Sequence, residues 1–273
     1  MCEEPILITH PEPQDIPVLE QLWIDTFGDP PELIEAFFDR FAPMLTGWIV
    51  CRGTKILSSA YLIHGNLFLN KDQMRAAAYV YAVATPEAHR GKGYGGMLMR
   101  HFAKMAEDRE LLLYTRPANS GLFHWYAGTM QTVPAASVRN CLIAAQKTKA
   151  PLVVTPLTAA EYGQARERLL LNRPHILMSE AFLKLQEVYL HAENGGFFSV
   201  GDAICACELH KDTLLIKEIL TDRDDPETIV QALIYHFRAE NAYLNIADED
   251  GEPRLAYLSN STMQDVAWGL LLD

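Results

Sequence analysis

Strand and helix signals run in the same order twice along this chain, and that repetition limits the possible folds more than any other feature. The first copy opens with the strand-like "ILIT" and an amphipathic stretch "IPVLEQLWIDTF", where Leu19, Leu22, Trp23 and Phe27 recur at helical spacing. The second opens with "LVVT" and "EYGQARERLL", Thr9 and Thr155 corresponding at an offset of 146 residues. Hairpins follow in both, "GWIVCRGTKILSSAYLI" turning at Gly53 and "GFFSVGDAICACEL" turning at Gly201. Next come the strands "AYVYAVAT" and "LLIKEILT", ending at Thr85 and Thr221, and helices containing His101-Phe102 and His236-Phe237. "TMQxV" then stands at Thr129–Val133 and Thr262–Val266, which reads as a further matched position. The expectation is two domains of one fold, 1–147 and 152–273, joined near "QKTKAPL", where Lys147, Lys149 and Pro151 suggest a surface linker.

With 273 residues, 49% hydrophobic and 21% charged, the chain suits a soluble globular protein of about two domains. No apolar run approaches the roughly 18 residues of a membrane span, and the acidic start "MCEEPILITHPEP" is unlike a signal peptide, so a cytoplasmic location is expected. Cys2, Cys51, Cys141, Cys205 and Cys207 include no CxxC pair, which suggests neither a disulfide framework nor a metal site. Cys205 and Cys207, two apart in a strand pattern, read as small core residues. The net charge of -12 argues against nucleic-acid and membrane-surface partners. Nearly all of that acidity lies in residues 151–273, net -11, against net -1 for residues 1–150.

The copies differ between strand and helix. The first has "PEAHRGKGYGG"; the second has "DRDDPETIVQ", whose Asp222, Asp224, Asp225 and Glu227 would cap their own helix and repel a phosphate. In the first copy, glycines and cations before a helix bring unpaired N–H groups and positive charge to one spot, as an anion-binding turn requires. The helix that follows has Leu98, Phe102 and Met105 on one face and Arg100, Lys104 and Asp108 on the other. A diphosphate is the natural guest. "GKGYGG" also fits G-x-G-x-x-G, but a dinucleotide turn starts at the strand end and needs a later acidic residue, whereas here "PEAHR" intervenes and "LLLYTR" ends without one. A Walker loop fails because Lys92 precedes Gly93 rather than Ser or Thr.

The spacing Arg90-x-x-Gly93-x-Gly95 after the apolar strand "VYAVAT" resembles the pyrophosphate signature of the GNAT superfamily of N-acetyltransferases, over about residues 5–145. The resemblance implies an α/β fold of mixed character: two tandem GNAT folds, each a mostly antiparallel mixed sheet flanked by helices, the second degenerate. It implies that the amides of Arg90, Gly91, Lys92, Gly93, Tyr94, Gly95 and Gly96 hold the pyrophosphate of acetyl-CoA, and that Val83 pairs with its pantetheine arm. The family pattern Asn-x6-Tyr falls on Asn119, placed with the cofactor, and Tyr126, the expected general acid. A phenol, with an ordinary pKa of about 10, is protonated at neutral pH and able to donate. Packing beside Phe123 and Trp125 is the other reading of Tyr126. In the second copy the offset places Ser259 there, too weak an acid for the task.

The strand glutamate common in the family is missing from "AYVYAVAT", which leaves His64, His124 or a water chain as candidate bases. The tandem order also resembles enzymes of the enhanced-intracellular-survival type; their third domain brings a terminal carboxylate to the site, a role that Asp273 is not assigned. The resemblance thus implies acetyl transfer from acetyl-CoA, as cosubstrate, to a primary amine of a small molecule or peptide. Acidity near the cleft would favour a cationic one. The alternative is a non-catalytic acyl-CoA-binding or scaffold protein; an oxidoreductase binding NAD is more remote.

Overall fold

Leu19, Leu22 and Trp23, spaced to share one face, are all buried, and they define the inner side of α1 (Ile16–Phe27), which ends where Gly28 turns left-handed. The structure, a computed structural model, describes residues 4–40, 44–146, 152–222, 226–247, 250–258 and 266–268. The expected linker residues Lys147, Lys149 and Pro151 lie outside these, as do Cys2, Asp224, Asp225, Ser259 and Asp273.

Contacts divide the chain into two compact units. The first holds β1 (Ile6–Thr9), α1, α2 (Pro31–Arg40), β2 (Leu45–Arg52), β3 (Lys55–Asn70), β4 (Gln73–Ala84), α3 (Tyr94–Asp108), β5 (Leu112–Thr115) and α4 (Ser120–Met130). In the second are β7 (Val154–Leu157), α5 (Ala159–Leu170), β8 (His175–Leu177), α6 (Glu180–Ala192), β9 (Gly196–Val200), β10 (Ala203–His210), β11 (Thr213–Leu220), α7 (Glu227–Phe237) and β12 (Asn241–Ala247). Two more strands, β6 (Thr132–Ala144) and β13 (Glu252–Leu258), follow α4 and β12.

Strand order repeats as the sequence suggests. In the first unit β1, β2 and β3 pair antiparallel and β4 runs parallel to β5. In the second unit β7, β9, β10 and β11 pair antiparallel in turn, and β11 runs parallel to β12. The hairpins turn at Gly53 and Gly201, whose φ values of 57° and 65° favour glycine. Each sheet is then closed by the other copy's last strand. β13 pairs antiparallel with β5, Tyr257 facing Tyr114, while β6 pairs with β12 from Ala144 opposite Asn241 to Val138 opposite Ala247. Neither unit is therefore one continuous stretch of chain: the residues of β13 from Arg254 on belong with the first, and Phe68–Gln73 at the β3–β4 turn and Ala136–Pro253 with the second.

The "TMQxV" correspondence is corrected by the structure. Thr129–Val133 spans the end of α4 and the start of β6, with Gln131 left-handed at φ 55°. The second occurrence comes after β13, and Thr262–Gln264 lie outside the described residues. Only residues 248–251 separate β12 from β13, so no counterpart of α4 fits between them. The match at a fixed offset does not mark equivalent places in the two copies, and the Ser259 expectation falls outside the described residues.

In the first unit, α3 and α4 pack on one sheet face through Leu98, Met99, Phe102, Tyr126 and Met130 over Val50, Ala60, Leu62 and Leu113. Burying side chains of this size contributes about 2 kcal/mol each. α1 and α2 add an aromatic cluster in which Trp23 touches Phe37, Phe38, Tyr61 and Tyr81, its indole N–H donating to Asp29 at 2.7 Å. The second unit has two cores, one under α7 that includes Cys205 and Cys207, and one under α5 and α6. Burial pushes the Cys205 thiol up to about 12 and that of Cys207 well above its ordinary value, which suits inert packing groups.

Candidate active site

β4 and β5 pair from Ala77–Leu112 to Tyr79–Tyr114 and then part. Ala82, three residues on, has φ 47°, a conformation side chains rarely adopt, and the strand bends there. Across the fork, the Thr115 hydroxyl donates to the Val80 carbonyl at 3.0 Å, so a side chain continues the ladder that the backbone has left. β4 then runs out through Thr85 to a 3-10 turn at Glu87–His89.

Beyond that turn the backbone exposes its donors. Gly91 and Gly93 have φ of 74° and 84°, and a Cβ at either would meet nothing within 4 Å. Gly93 caps α3 without any side-chain hydrogen bond, and the first helical bond runs from Met97 N to Gly93 O at 3.0 Å. Among the described residues, the amides of Gly91 through Gly96 have no hydrogen-bond partner. The Arg90 amide differs from expectation: it donates to Glu87 O at 3.2 Å, closing the 3-10 turn, and so is not one of the free set. Six unpaired N–H groups at the positive end of a fifteen-residue helix form an anion-binding cradle. Gly95 and Gly96 are buried in the first turn, where a Cβ at Gly95 would come 3.4 Å from Trp125 and one at Gly96 would come 3.2 Å from Arg100.

Next to the cradle is a cavity of about 300 Å³ lined by Thr26, Val83, Thr85, Arg90, Gly95, Leu122, Trp125 and Tyr126. Tyr126, Val83, Arg90 and Gly95 thus meet in one wall, as residues so far apart in sequence can when α4 packs against α3. Gly91, Lys92, Gly93, Tyr94 and Gly96 stand in the turn beside it. Lys92 Nζ donates to Ala88 O at 2.8 Å, and Tyr94 packs against the core under α3 with its ring edge-on to His89. Asn119 is placed as a helix cap: its side-chain oxygen accepts from Leu122 N at 3.0 Å and sets the start of α4. By that cap it fixes the phase of Leu122, Trp125 and Tyr126 on the cavity.

Tyr126 is buried and edge-on to Trp125. Burial pushes its phenol up to about 12, partly offset by the Thr115 hydroxyl, so the proton is retained at any physiological pH. The candidate histidines stand elsewhere. His64 bonds Thr46 Oγ1 at 2.7 Å, and burial with the nearby Arg109 cation lowers its pKa; His124 donates from Nδ1 to Ser120 O at 2.9 Å. Neither lines the cavity.

A second cavity of about 740 Å³ lies between α1 and the loop after β4, lined by Pro17, Val18, Gln21, Leu22, Asp25, Thr26, Pro86, Glu87 and Arg90. Thr26 and Arg90 belong to both cavities. The Thr26 hydroxyl is buried and unpaired, which in a cavity wall marks a place for water or ligand. Sequence reasoning missed Thr26, Thr85, Leu122, Trp125 and Thr115; α1 carries no local signal that its last turn faces the glycine loop. In the second unit, α7 begins at Pro226 without a side-chain cap, and Glu227 in its first turn accepts from Gln146 Nε2 at 2.9 Å. Among the described residues no helix is long and apolar enough to cross a membrane.

Residues 8–126 match the family model described as an acetyltransferase (GNAT) domain. No curated protein matches the chain. Among solved structures, a GCN5-related N-acetyltransferase from Kribbella flavida is 11% identical with a TM-score of 0.70, over 93% of this chain and 71% of that one. The corresponding figures for a GCN5-related N-acetyltransferase from Anabaena variabilis are 16%, 0.67, 93% and 72%. A tandem GNAT protein from the clavulanic acid biosynthesis pathway is 12% identical with a TM-score of 0.55, over 93% of this chain and 97% of that one. Such identities speak for the fold alone. Residues 8–126, with the forked β4 and the open glycine turn, thus match a GNAT acetyltransferase domain, and the chain has the mixed α/β fold also found in a tandem GNAT protein.

Proposed function

We propose that the protein is an acetyl-CoA-dependent N-acetyltransferase acting on a primary amine, with its chemistry in the first unit. The observation that carries this is the run of six unpaired amides, Gly91–Gly96, opening beside a cavity that holds a buried, protonated phenol. The amides supply fixed donors for a pyrophosphate, and the fork between β4 and β5 leaves unpaired backbone near Val83 for the pantetheine arm. Holding the thioester and amine together lowers the barrier by converting a collision into a local rearrangement. As the C–S bond breaks, the electron pair goes to sulfur, and Tyr126 gives the thiolate a proton. The amine loses its proton to water, since among the described residues no carboxylate or histidine lines the smaller cavity. Asp25 and Glu87 in the adjoining cavity favour a cationic acceptor, from a small molecule or peptide.

The test is thiol release from acetyl-CoA with a panel of polyamines, aminoglycosides and lysine peptides, in wild type and Tyr126→Phe. Turnover that drops by about 10²-fold or more in the variant, with binding of CoA retained, is the expected result. CoA binding without turnover on any amine favours a non-catalytic acyl-CoA-binding protein. No CoA binding by a folded chain removes both readings.

A further inference from the structure

We infer, on the acetyltransferase reading, that Arg100 receives the 3′-phosphate on the ribose of CoA and so sets a preference for CoA over its 3′-dephosphorylated form. Arg100 lies outside the Arg90–Gly96 turn, on the exposed side of α3 and four residues after Gly96. Helical side chains lean towards the N-terminus, and this one does: its Nη1 and Cζ lie 3.2 and 3.9 Å from where a Gly96 Cβ would stand. The missing side chain of Gly96 thus leaves room for a guanidinium beside the last of the six free amides.

Among the described residues that guanidinium has no hydrogen-bond or ion-pair partner. Its neighbour from α4 offers none: Thr129 presents its Cγ2 methyl, 3.4 Å from the same point, while its hydroxyl donates to Trp125 O at 2.8 Å. All five N–H donors of the fork are therefore unspent. Their place is also electrostatically wrong for a bare chain. The start of a helix carries partial positive charge and favours anions, whereas cations are favoured at its other end. Arg100 is exposed and long enough to extend into water, yet it lies back over the positive end of α3, beside unpaired amides. An anion there relieves the conflict.

The chemistry of the coenzyme says which anion. The six amides converge at the glycine turn and suit the pyrophosphate. CoA carries a third phosphate, a monoester on the 3′ oxygen of the same ribose that holds the pyrophosphate on its 5′ oxygen, so it falls within one sugar ring of the cradle. A phosphate monoester is close to doubly charged at neutral pH and has three free oxygens, which a planar guanidinium grips through two parallel bonds. Lysine in place of Arg100 would keep the charge and lose the paired geometry; glutamine would remove the charge.

The experiment is calorimetric titration of the full chain, as wild type, Arg100→Gln and Arg100→Lys, with CoA and with 3′-dephospho-CoA, alongside a melting curve of each unliganded protein. Wild type should bind CoA about tenfold more tightly than dephospho-CoA, a factor that fits one hydrogen-bonded charge pair. Arg100→Gln should erase the difference by weakening CoA alone, and Arg100→Lys should keep part of it. The unliganded melting temperatures should agree, because the guanidinium holds nothing within the protein. A wild type that binds the two ligands alike overturns the inference and leaves the acetyltransferase reading standing. So does an equal loss for both ligands in Arg100→Gln, which would assign the guanidinium to the pyrophosphate. A folded wild-type chain that binds neither ligand overturns the acetyltransferase reading and the role of Arg100 together.

Discussion

At Gly93 the backbone stands at φ 84° with open space around the missing Cβ, so a side chain there meets strain rather than collision. Gly93→Val should therefore cost about 1–2 kcal/mol of stability and weaken CoA binding by more than that strain alone, because the amides it turns outward move. Calorimetric titration and a melting curve on the same sample separate the two. Gly95 differs: it is helical, and an added methyl would just touch Trp125 at 3.4 Å, so Gly95→Ala should fold normally and narrow only the cavity. Tyr126 sets a pH signature. Its folded-state pKa, about 12, is above the ordinary 10, so the neutral phenol favours the folded state. That contribution is complete below about pH 10 and is lost as pH rises towards 12. Burial raises the Tyr61, Tyr79 and Tyr162 phenols in the same sense. Chemical unfolding should show stability flat through pH 9 and falling steeply above 10, with a shallower fall in Tyr126→Phe.

Among the elements, α3 and α7 occupy matching places in the two units and differ at their first turns. Helix α3 offers open amides; α7 has Glu227, held by Gln146. The glycine run before α3 and the Glu227 carboxylate at the start of α7 were both visible in the sequence, while Asp224 and Asp225 lie outside the described residues. The limits of α1 were legible for a similar reason: its apolar residues keep one phase for twelve residues and stop at Gly28. The bond from the Thr115 hydroxyl to Val80 O was not, because it depends on where two strands part, and no local pattern marks that. Nor was the buried network under α5. There Arg166, fully enclosed, meets Glu218 at 3.1 Å and donates to Ile176 O at 2.8 Å, while the Tyr162 hydroxyl donates to Glu218 at 2.6 Å. Removing one charge leaves the other buried and unpaired, so Arg166→Met should destabilise the protein by about 3–5 kcal/mol. Denaturant titration would measure it. Arg166→Met with Glu218→Gln together should recover part of the loss, since the uncompensated charge is gone.

For the molecule as a whole, the exchange of last strands decides how the duplicated chain can be divided. The repeated order of elements told of two similar folds, but β6 pairs with β12 and β13 with β5, and no local pattern in the sequence chooses between such partners. A fragment of residues 1–147 would lack β13 and leave β5 with an open edge, while β6 would lose β12. It should aggregate or bind no CoA, whereas adding residues 152–273 as a second polypeptide should restore a soluble complex. Gel filtration of the two fragments, alone and mixed, tests this. The central claim is narrower: the paired phosphates of CoA rest on the free backbone donors at the head of α3. Amide nitrogen and proton resonances of Gly91–Gly96, followed during a CoA titration, test it most directly. The account predicts that those six move together and saturate at one affinity while the first amides of α7 stay still. Saturable CoA binding that leaves the six unmoved would contradict it.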